Sequence, residues 1–439
     1  MMTLLLQLLF VLILGYTAWR ATKRVQYIMR NINLGKADDR NDNPAARWSM
    51  TFRIAFGQRK MFDRPVVALL HLLIYVGFVL INAELLEIVL DGLLGTHRLF
   101  APFLGSAYLV LINTFEVLGF AVLVACVAFL TRRNVMKLPR FWKAEMTSWP
   151  RTDANLILVA EIVIMTLFLT MNAADVALQN KGNLHYFPTG DFLISGYLVP
   201  FFSNFSADFL VIYERLAWWL HIAGIFAFAV YVTYSKHLHI ILAFPATYFS
   251  RLNPAGEINN MPAITNEIKI ALGLPGADNN AEAPSRFGAK DIQDLSWKNL
   301  LDAYACTECG RCTSVCPANL TGKKLSPRKV MMDTRDRMEV VGNSIDAGGP
   351  GLDDGKSLYG DYVTKEELMA CTTCNACVDA CPINLNPLDI ILDMRRYVAM
   401  EESATPASWN GMFVNVENNM APWAFSPSDR LNWKEQAEA

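Results

Sequence analysis

Eight of the nine cysteines fall in two runs that share one spacing, at residues 306–317 and 371–382. In each run three cysteines recur at every third position. A fourth follows four residues later, directly before a proline. Thiolates spaced in this way are ligands of cubane iron–sulfur clusters, because the short loops wrap the chain around a cluster. We therefore expect two [4Fe–4S] clusters, whose chemistry is one-electron transfer.

The pattern is that of bacterial two-cluster ferredoxins, in which the fourth cysteine of a run ligates the other cluster. Cluster one is then held by Cys306, Cys309, Cys312 and Cys381. Cluster two is held by Cys371, Cys374, Cys377 and Cys316. The alternative is structural zinc, but zinc sites usually join two Cys-x-x-Cys pairs through a longer loop. They need neither the third cysteine nor the repeat, so the spacing favours clusters.

The elements that must position these runs fall into an apolar half and a polar half. Hydrophobic residues make up 53% of the chain and fill residues 1–245, and the net charge of −2 argues against nucleic-acid binding. A span needs about 20 apolar residues. Five stretches qualify, so we predict an all-α bundle of five transmembrane helices with a small α-helical ferredoxin-type domain behind it. The stretches are residues 4–19, 66–90, 103–130, 156–178 and 209–234.

Lysine and arginine set the orientation of such a bundle. The loops after the first and third stretches are rich in both, whereas the loops after the second and fourth offer only Arg98 and Lys181. Helices one, three and five should therefore run inward, with the N-terminus outside and the cysteine runs in the cytoplasm. A bacterial inner-membrane protein is predicted. Reduced thiols and clusters suit that reducing compartment.

Histidines in or beside the spans are functional suspects. His221 and His239 are 18 residues apart, or five helical turns, and should share one face, while His237 should point elsewhere. His71 lies about 9 Å beyond Pro65 by helical rise, a depth that pairs it with His239. Two such imidazoles can hold a b-type haem. The alternative is that these histidines are only interfacial or hydrogen-bonded. A haem at His221 would need a second ligand at Ile81, which cannot bind iron.

Residues 1–250 resemble the gamma (cytochrome b) subunit of respiratory nitrate reductases. The likeness rests on five spans, on the span-two and span-five histidines, and on the exit at residues 235–239, followed by Pro245 and Tyr248. It implies a cytochrome b fold with His71 and His239 on the proximal haem. The family carries two haems, which would make His221 the ligand of the second.

Residues 251–290 are rich in Pro, Gly, Asn and Ala and are predicted to be a linker. The ferredoxin-like domain should cover residues 291–400, with helices at 291–305, 326–338 and 387–400 and a surface loop at 342–360. It resembles the ferredoxin segments of the heterodisulfide reductases, of both the C type and the D type, and in the D type domains with CCG motifs follow. The tail, residues 401–439, carries Trp409, Trp423, Phe425 and Trp433, which either dock a partner or pack on the chain's own ferredoxin domain.

The preferred interpretation is a membrane-bound electron-transfer subunit of a quinone-linked oxidoreductase, with no catalytic residue of its own. It would relay electrons between a cytoplasmic partner and membrane quinone through the clusters and haem b. Its resemblances imply two partners, a CCG-domain subunit and electron-transferring flavoprotein. The alternative is a subunit of a quinol-linked disulfide reductase of the heterodisulfide reductase type, with the catalytic CCG domain on another chain. A third possibility is a structural module with zinc or empty sites.

Overall fold

The computed structural model describes residues 4–254, 256–281, 286–349 and 354–438. These residues form helices and no strand, as the sequence predicts. Five helices are long and apolar enough to cross a membrane. They are α1 (Leu4–Ile32), α2 (Pro65–Leu94), α3 (Ser106–Leu130), α4 (Trp149–Asn180) and α5 (Ala207–Val232).

Helices α2 to α5 form the core of the bundle. α4 packs against α3 and α5, and α2 packs against α3. α1 lies at the edge and exposes a row of leucines, but it buries Phe10 against Trp218 of α5. An apolar surface of this kind is stable only in a lipid environment, because in water it would expose far more hydrophobic area than soluble proteins do.

The cysteine runs lie in a second, smaller helical domain. The helix α6 (His239–Tyr248) leads from the bundle to this domain and packs on its first long helix. The main helices of the domain are α7 (Trp297–Ala305), α8 (Pro327–Gly348) and α9 (Pro387–Met400). Shorter helices are Pro44–Thr51, Pro262–Ala271, Arg311–Val315, Pro317–Leu320, Lys365–Met369 and Ala376–Asp379. Leu300, Met338, Ile391 and Met394 belong to one continuous buried core that links α7, α8 and α9.

Helix α1 continues beyond the bundle and packs on the cluster domain. Arg24 makes a paired salt bridge to Glu339 of α8, at 2.6 and 3.1 Å. Asn31 donates to the Tyr304 hydroxyl at 3.1 Å. A Cβ atom on Gly342 would lie 2.5 Å from Asn31, so the two helices touch closely there. The cluster domain is thus held against the same end of the bundle as the C-terminus of α1.

Several predicted boundaries differ from the structure. α1 ends at Ile32 and not near residue 19, since its second half is amphipathic and packs on protein. α8 runs on to Gly348, so the loop predicted at 342–360 is wrong for residues 342–348; residues 350–353 lie outside the described part. Residues 262–271 of the predicted linker are helical.

The tail forms the helix α10 (Ala407–Asn419) and a short helix Asn432–Glu438. Neither helix contains a buried residue. Trp409 is 38% exposed, Trp423 50%, Phe425 65% and Trp433 66%. Each of these four aromatic residues is therefore exposed over at least a third of its surface.

Candidate functional site

The two cysteine loops follow the same backbone path. Glu308 and Gly310 have positive φ in the first loop, and Thr373 and Asn375 have it at the matching positions of the second. Three of these four residues are not glycine, and for each of them the left-handed conformation costs about 1–2 kcal/mol. Backbone turned in this way directs successive N–H groups to one point, as in the nests that hold anions and iron–sulfur clusters.

Thiols of the two runs lie close to one another. One small cavity is lined by five of the thiols, those of Cys306, Cys309, Cys312, Cys377 and Cys381. Cys371, Cys316 and Cys374 surround Cys377. The fourth cysteine of each run therefore lies with the other run. Cys374 is exposed at the surface, whereas Cys306 is buried.

Burial makes free thiolates unfavourable here. It raises the pKa of the Cys306 and Cys377 thiols to about 12, and that of Cys381 to about 11. A bound metal centre removes the thiol proton and neutralises the charge, which is the chemistry that such a donor set fits.

Glu308 fastens the first cysteine loop to the membrane helices. Its carboxylate contacts the Lys236 ammonium on one side and accepts from Arg335 at 2.7 Å on the other. It is only 3% exposed. Burial opposes its ionisation, but Arg335 and Lys236 outweigh that effect and hold the pKa of Glu308 below its ordinary value. The ionised side chain thus links the loop to the residue three positions before His239.

Arg311 fastens the same loop on its other side. Its Nη1 donates to the Lys60 carbonyl at 2.9 Å, and its Nη2 lies 3.3 Å from the Met61 sulfur. Two residues before Lys60, the Gln58 side-chain oxygen lies 3.1 Å from His71 Nδ1. Both charged side chains of the first loop therefore reach segments that carry the predicted haem ligands.

His71 and His239 are brought together. Their ring centres are 6.5 Å apart. His71 Nδ1 bonds to Gln58, and His239 Nδ1 bonds to the Lys236 carbonyl at 3.1 Å. Since those oxygens only accept, each Nδ1 carries the proton and each Nε2 keeps its lone pair, as in metal-bound histidines. Metal–nitrogen bonds of about 2 Å on each side would place two ring centres roughly 6 Å apart, so His71 and His239 could together hold one haem iron, which would supply one-electron chemistry.

The path from His221 to His239 differs from the prediction. α5 ends at Val232, and a 3₁₀ turn at Lys236–Leu238 precedes α6, so the two histidines do not share one continuous helix. The Ser235 side chain caps this turn by accepting from the His237 amide. As a result His237 lies beside His239, with ring centres 5.4 Å apart, and does not point elsewhere.

His221 lies apart from this pair. Its Nδ1 bonds to the Ile164 carbonyl at 3.0 Å, and the ring lines a cavity with Ile81. Ile81 thus lies at the depth of His221, as the sequence predicts. The cavity also contains Glu84 and Glu161, which sequence reasoning missed although charged residues inside a span are themselves a signal of function.

A second group that sequence reasoning missed lies at the far end of the bundle. Arg98 binds Asp175 at 2.7 Å and Asn172 at 3.0 Å, and all three are buried. From the sequence alone, Arg98 is predicted only to be a charged residue in the loop after the second span. His97, next to it, is largely buried 3.3 Å from Asp175. The sequence predicts that Arg98 lies in a loop, but it does not predict that this loop folds back into the bundle.

Residues 305–385 match a family model described as a 4Fe-4S dicluster domain. No solved structure matches the chain. The chain is 28% identical to the probable iron–sulfur-binding oxidoreductase FadF of Bacillus subtilis, over 98% of this chain and 61% of that protein. It is 26% identical to the EtfAB:quinone oxidoreductase of Syntrophomonas wolfei, over 90% of this chain and 55% of that protein.

A probable membrane-anchored ferredoxin of Chromohalobacter salexigens is 37% identical over 37% of this chain and 26% of its own length. The chain spans less than two thirds of the length of all three relatives. Together, the dicluster match and the five long helices describe an iron–sulfur protein with five candidate membrane spans among the residues that the structure describes.

Proposed function

We propose that the chain relays electrons between a soluble redox partner and membrane quinone. Residues 1–250 are the membrane cytochrome b domain, and residues 291–400 hold the two clusters on the cysteines assigned above. The observation that carries the proposal is the pair His71 and His239, two imidazoles at haem-ligand spacing directly beneath the first cysteine loop. A haem held there supplies one-electron iron chemistry within the membrane.

The geometry supports an order for the relay. Cluster one belongs to the first cysteine loop. Glu308 and Arg311 of that loop bond to the segments that carry His239 and His71, so cluster one is the cluster on the membrane side. Cluster two includes Cys374, which is exposed, so it is the cluster that meets a soluble partner. The order is therefore partner, cluster two, cluster one, haem and quinone.

The placement of charge supports a cytoplasmic cluster domain. Loops rich in arginine follow α1 and α3, and Arg140 and Glu145 of the second loop bond to Arg328 of the cluster domain. Cluster domain and basic loops thus share one end of the bundle. Basic loops stay on the cytoplasmic side.

Three partners follow. The quinone and the electron-transferring flavoprotein are favoured by the similarity to an EtfAB:quinone oxidoreductase. A CCG-domain protein is favoured by the heterodisulfide reductase relatives, including a dihydromethanophenazine-dependent one of Methanosarcina acetivorans, 26% identical over 33% of this chain and 35% of its own length. The exposed aromatic residues of the tail offer such a protein a docking surface, because aromatic side chains are enriched at interfaces.

The same relatives favour a second candidate function, membership of a quinol-linked disulfide reductase whose catalytic domain is on another chain. The purified complex separates the two. Reduction of quinone by reduced electron-transferring flavoprotein supports the relay, and quinol-driven reduction of a disulfide supports the alternative.

A reduced-minus-oxidised spectrum of purified protein tests the haem. We expect a b-type signal that is lost in His71→Ala and in His239→Ala and kept in His237→Ala, the matched control on the same turn. An unchanged spectrum in His239→Ala would refute the pairing. Iron analysis should give about eight iron atoms for the two clusters, plus the haem iron. Zinc in place of iron would refute the clusters as well.

A further inference from the structure

A cavity inside the bundle has no role in the relay described so far. It lies between α2, α3, α4 and α5, and on α2 its wall runs from Ile74, about one turn beyond His71, to Ile88. The volume of the cavity itself is about 90 Å³, and it is open on one side. Most of the wall is apolar, which is typical of a site for a small organic molecule.

Glu84 is the most informative residue of this wall. The side chain is only 5% exposed, and its Oε2 has no hydrogen-bond partner among the residues that the structure describes. A buried polar atom without a partner is costly, and native proteins keep one where a ligand or a chemical role requires it. Within a membrane span, where no water compensates, the requirement is stronger.

Three further polar groups face the same space. Glu161 has no hydrogen bond or ion pair in the described part of the chain, and His221 uses Nδ1 on the Ile164 carbonyl, which leaves Nε2 free. Asn82 is exposed at the lipid side of α2. An apolar slot with polar groups on opposite helices and an opening to lipid suits a flat ring with a carbonyl oxygen at each end.

The cavity suits a second haem less well than it suits such a ring. Ile81 lies in the wall facing His221, and the other side chains that α2 contributes are aliphatic, aromatic, amide or carboxylate. None of them is a customary axial ligand of a b-type haem, which takes histidine or methionine. The only sulfur in the wall is Met165 of α4, one residue after the Ile164 carbonyl that fixes His221.

We propose that this cavity binds the head group of the membrane quinone and that Glu84 exchanges protons with it. The inference rests on the proposed function, which supplies the electrons. The quinone gains two electrons, one at a time, and two protons, and each C=O becomes C–O–H. In the reverse reaction the quinol returns two electrons to the relay, one at a time, and releases two protons. The Glu84 carboxylate accepts these protons one after the other, passing the first to the polar groups beyond it before it takes the second.

Beyond Glu84, further polar groups continue toward the far end of the bundle. Glu87 lies about one turn further along α2 and accepts from the Tyr108 hydroxyl and from the Phe100 amide, each at 2.8 Å. Tyr108 also accepts from Arg98 at 3.2 Å. The charged groups that face Glu84 are Arg98, Glu87 and Glu116. Protons therefore have a polar path to the end away from the cluster domain, while electrons arrive from the cluster end.

The test uses the purified chain in detergent with menadiol and decyl-ubiquinol as probes of the naphthoquinone and benzoquinone classes. The readout is the rate at which each quinol reduces the b-type haem. We expect at least a tenfold loss of rate in Glu84→Gln, partial recovery in Glu84→Asp, and a comparable loss in Ile81→Phe, which fills the cavity. Glu214→Gln is the matched control, since Glu214 is an equally buried glutamate of α5 outside the cavity wall.

The dithionite-reduced haem spectrum of each variant shows whether the relay itself is intact. Normal spectra with slow quinol reactions in Glu84→Gln and Ile81→Phe support the proposal. Rates within twofold of the unmodified chain in both variants overturn it while leaving the relay standing. Loss of a second haem signal in His221→Ala also overturns it. If the unmodified chain has no haem, or if neither quinol reduces it, the proposed function itself fails.

Discussion

Replacing Glu308 with glutamine tests the junction between the cluster domain and the membrane helices. The change keeps the shape of the side chain but leaves the cations Lys236 and Arg335 without the carboxylate between them. Breaking a buried ion pair costs about 3–5 kcal/mol. Glu308 is 3% exposed, so solvent screens the pair little. Asp153 remains 3.8 Å from Lys236 and compensates in part, so we expect about 3 kcal/mol, at the low end of that range.

A loss of this size raises the fraction of molecules in which the cluster domain has separated from the membrane helices, the open junction. The rise is roughly a hundredfold, since about 1.4 kcal/mol changes an equilibrium constant tenfold. Limited proteolysis at low protease concentration measures it, because the cleavage rate follows the open population when opening is fast. The matched control is Glu366→Gln in the same domain. Its bridge to Lys324 is 64–68% exposed, so solvent screens the pair and its loss should change the stability of the junction little.

Electron transfer gives a second readout of the same variant. In Glu308→Gln the haem should be reduced more slowly through the clusters, while its dithionite-reduced spectrum stays normal because neither histidine has changed. The reasoning is refuted if Glu308→Gln and Glu366→Gln are cleaved at the same rate and transfer electrons equally fast. Glu308 would then be one more buried charge and not a link between the two domains.

Further variants test the other parts of the site. Cys374→Ser should remove cluster two alone, leaving about four cluster irons and a normal haem spectrum; loss of all cluster iron would contradict the assignment. Gln58→Leu removes the acceptor of His71 Nδ1 and should weaken haem retention by about 10- to 100-fold, against no change in Asn82→Leu. Because the pKa of Glu308 is lowered in the folded protein, its contribution is complete above the ordinary glutamate pKa of about 4.3 and is lost as the pH falls through the lower folded value. Protease protection of the junction should therefore be constant from about pH 8 to about pH 5 and fall below about pH 4, and a loss already near neutral pH would point to another group. Trp409→Ser together with Trp433→Ser should weaken capture of a separately expressed CCG-domain protein without changing either spectrum, whereas unchanged capture would place the docking surface elsewhere.

Local patterns in the sequence predicted much of the fold. Five apolar stretches predicted five long helices, because a hydrophobic run of that length has few alternatives. Helix α9 was predicted at its observed bounds, Pro387–Met400, since proline and asparagine mark its start and an apolar stripe fixes its face. Boundaries failed where packing overrides local signals. α1 and α8 both extend further than predicted because each buries a face against the other domain.

The sequence by itself determined the eight cysteines and their expected grouping, because cluster ligation imposes a spacing on consecutive residues. It also indicated the depth at which His71 and His239 lie, because helical rise is fixed. Only the tertiary structure placed Glu308 against Lys236, two residues 72 positions apart. Only the tertiary structure bent the chain at Ser235, which brought His237 beside His239. Only the packing of four helices left Glu84 unpartnered in a cavity. Such contacts depend on which faces of distant helices meet, and nothing in the local order of residues specifies that meeting.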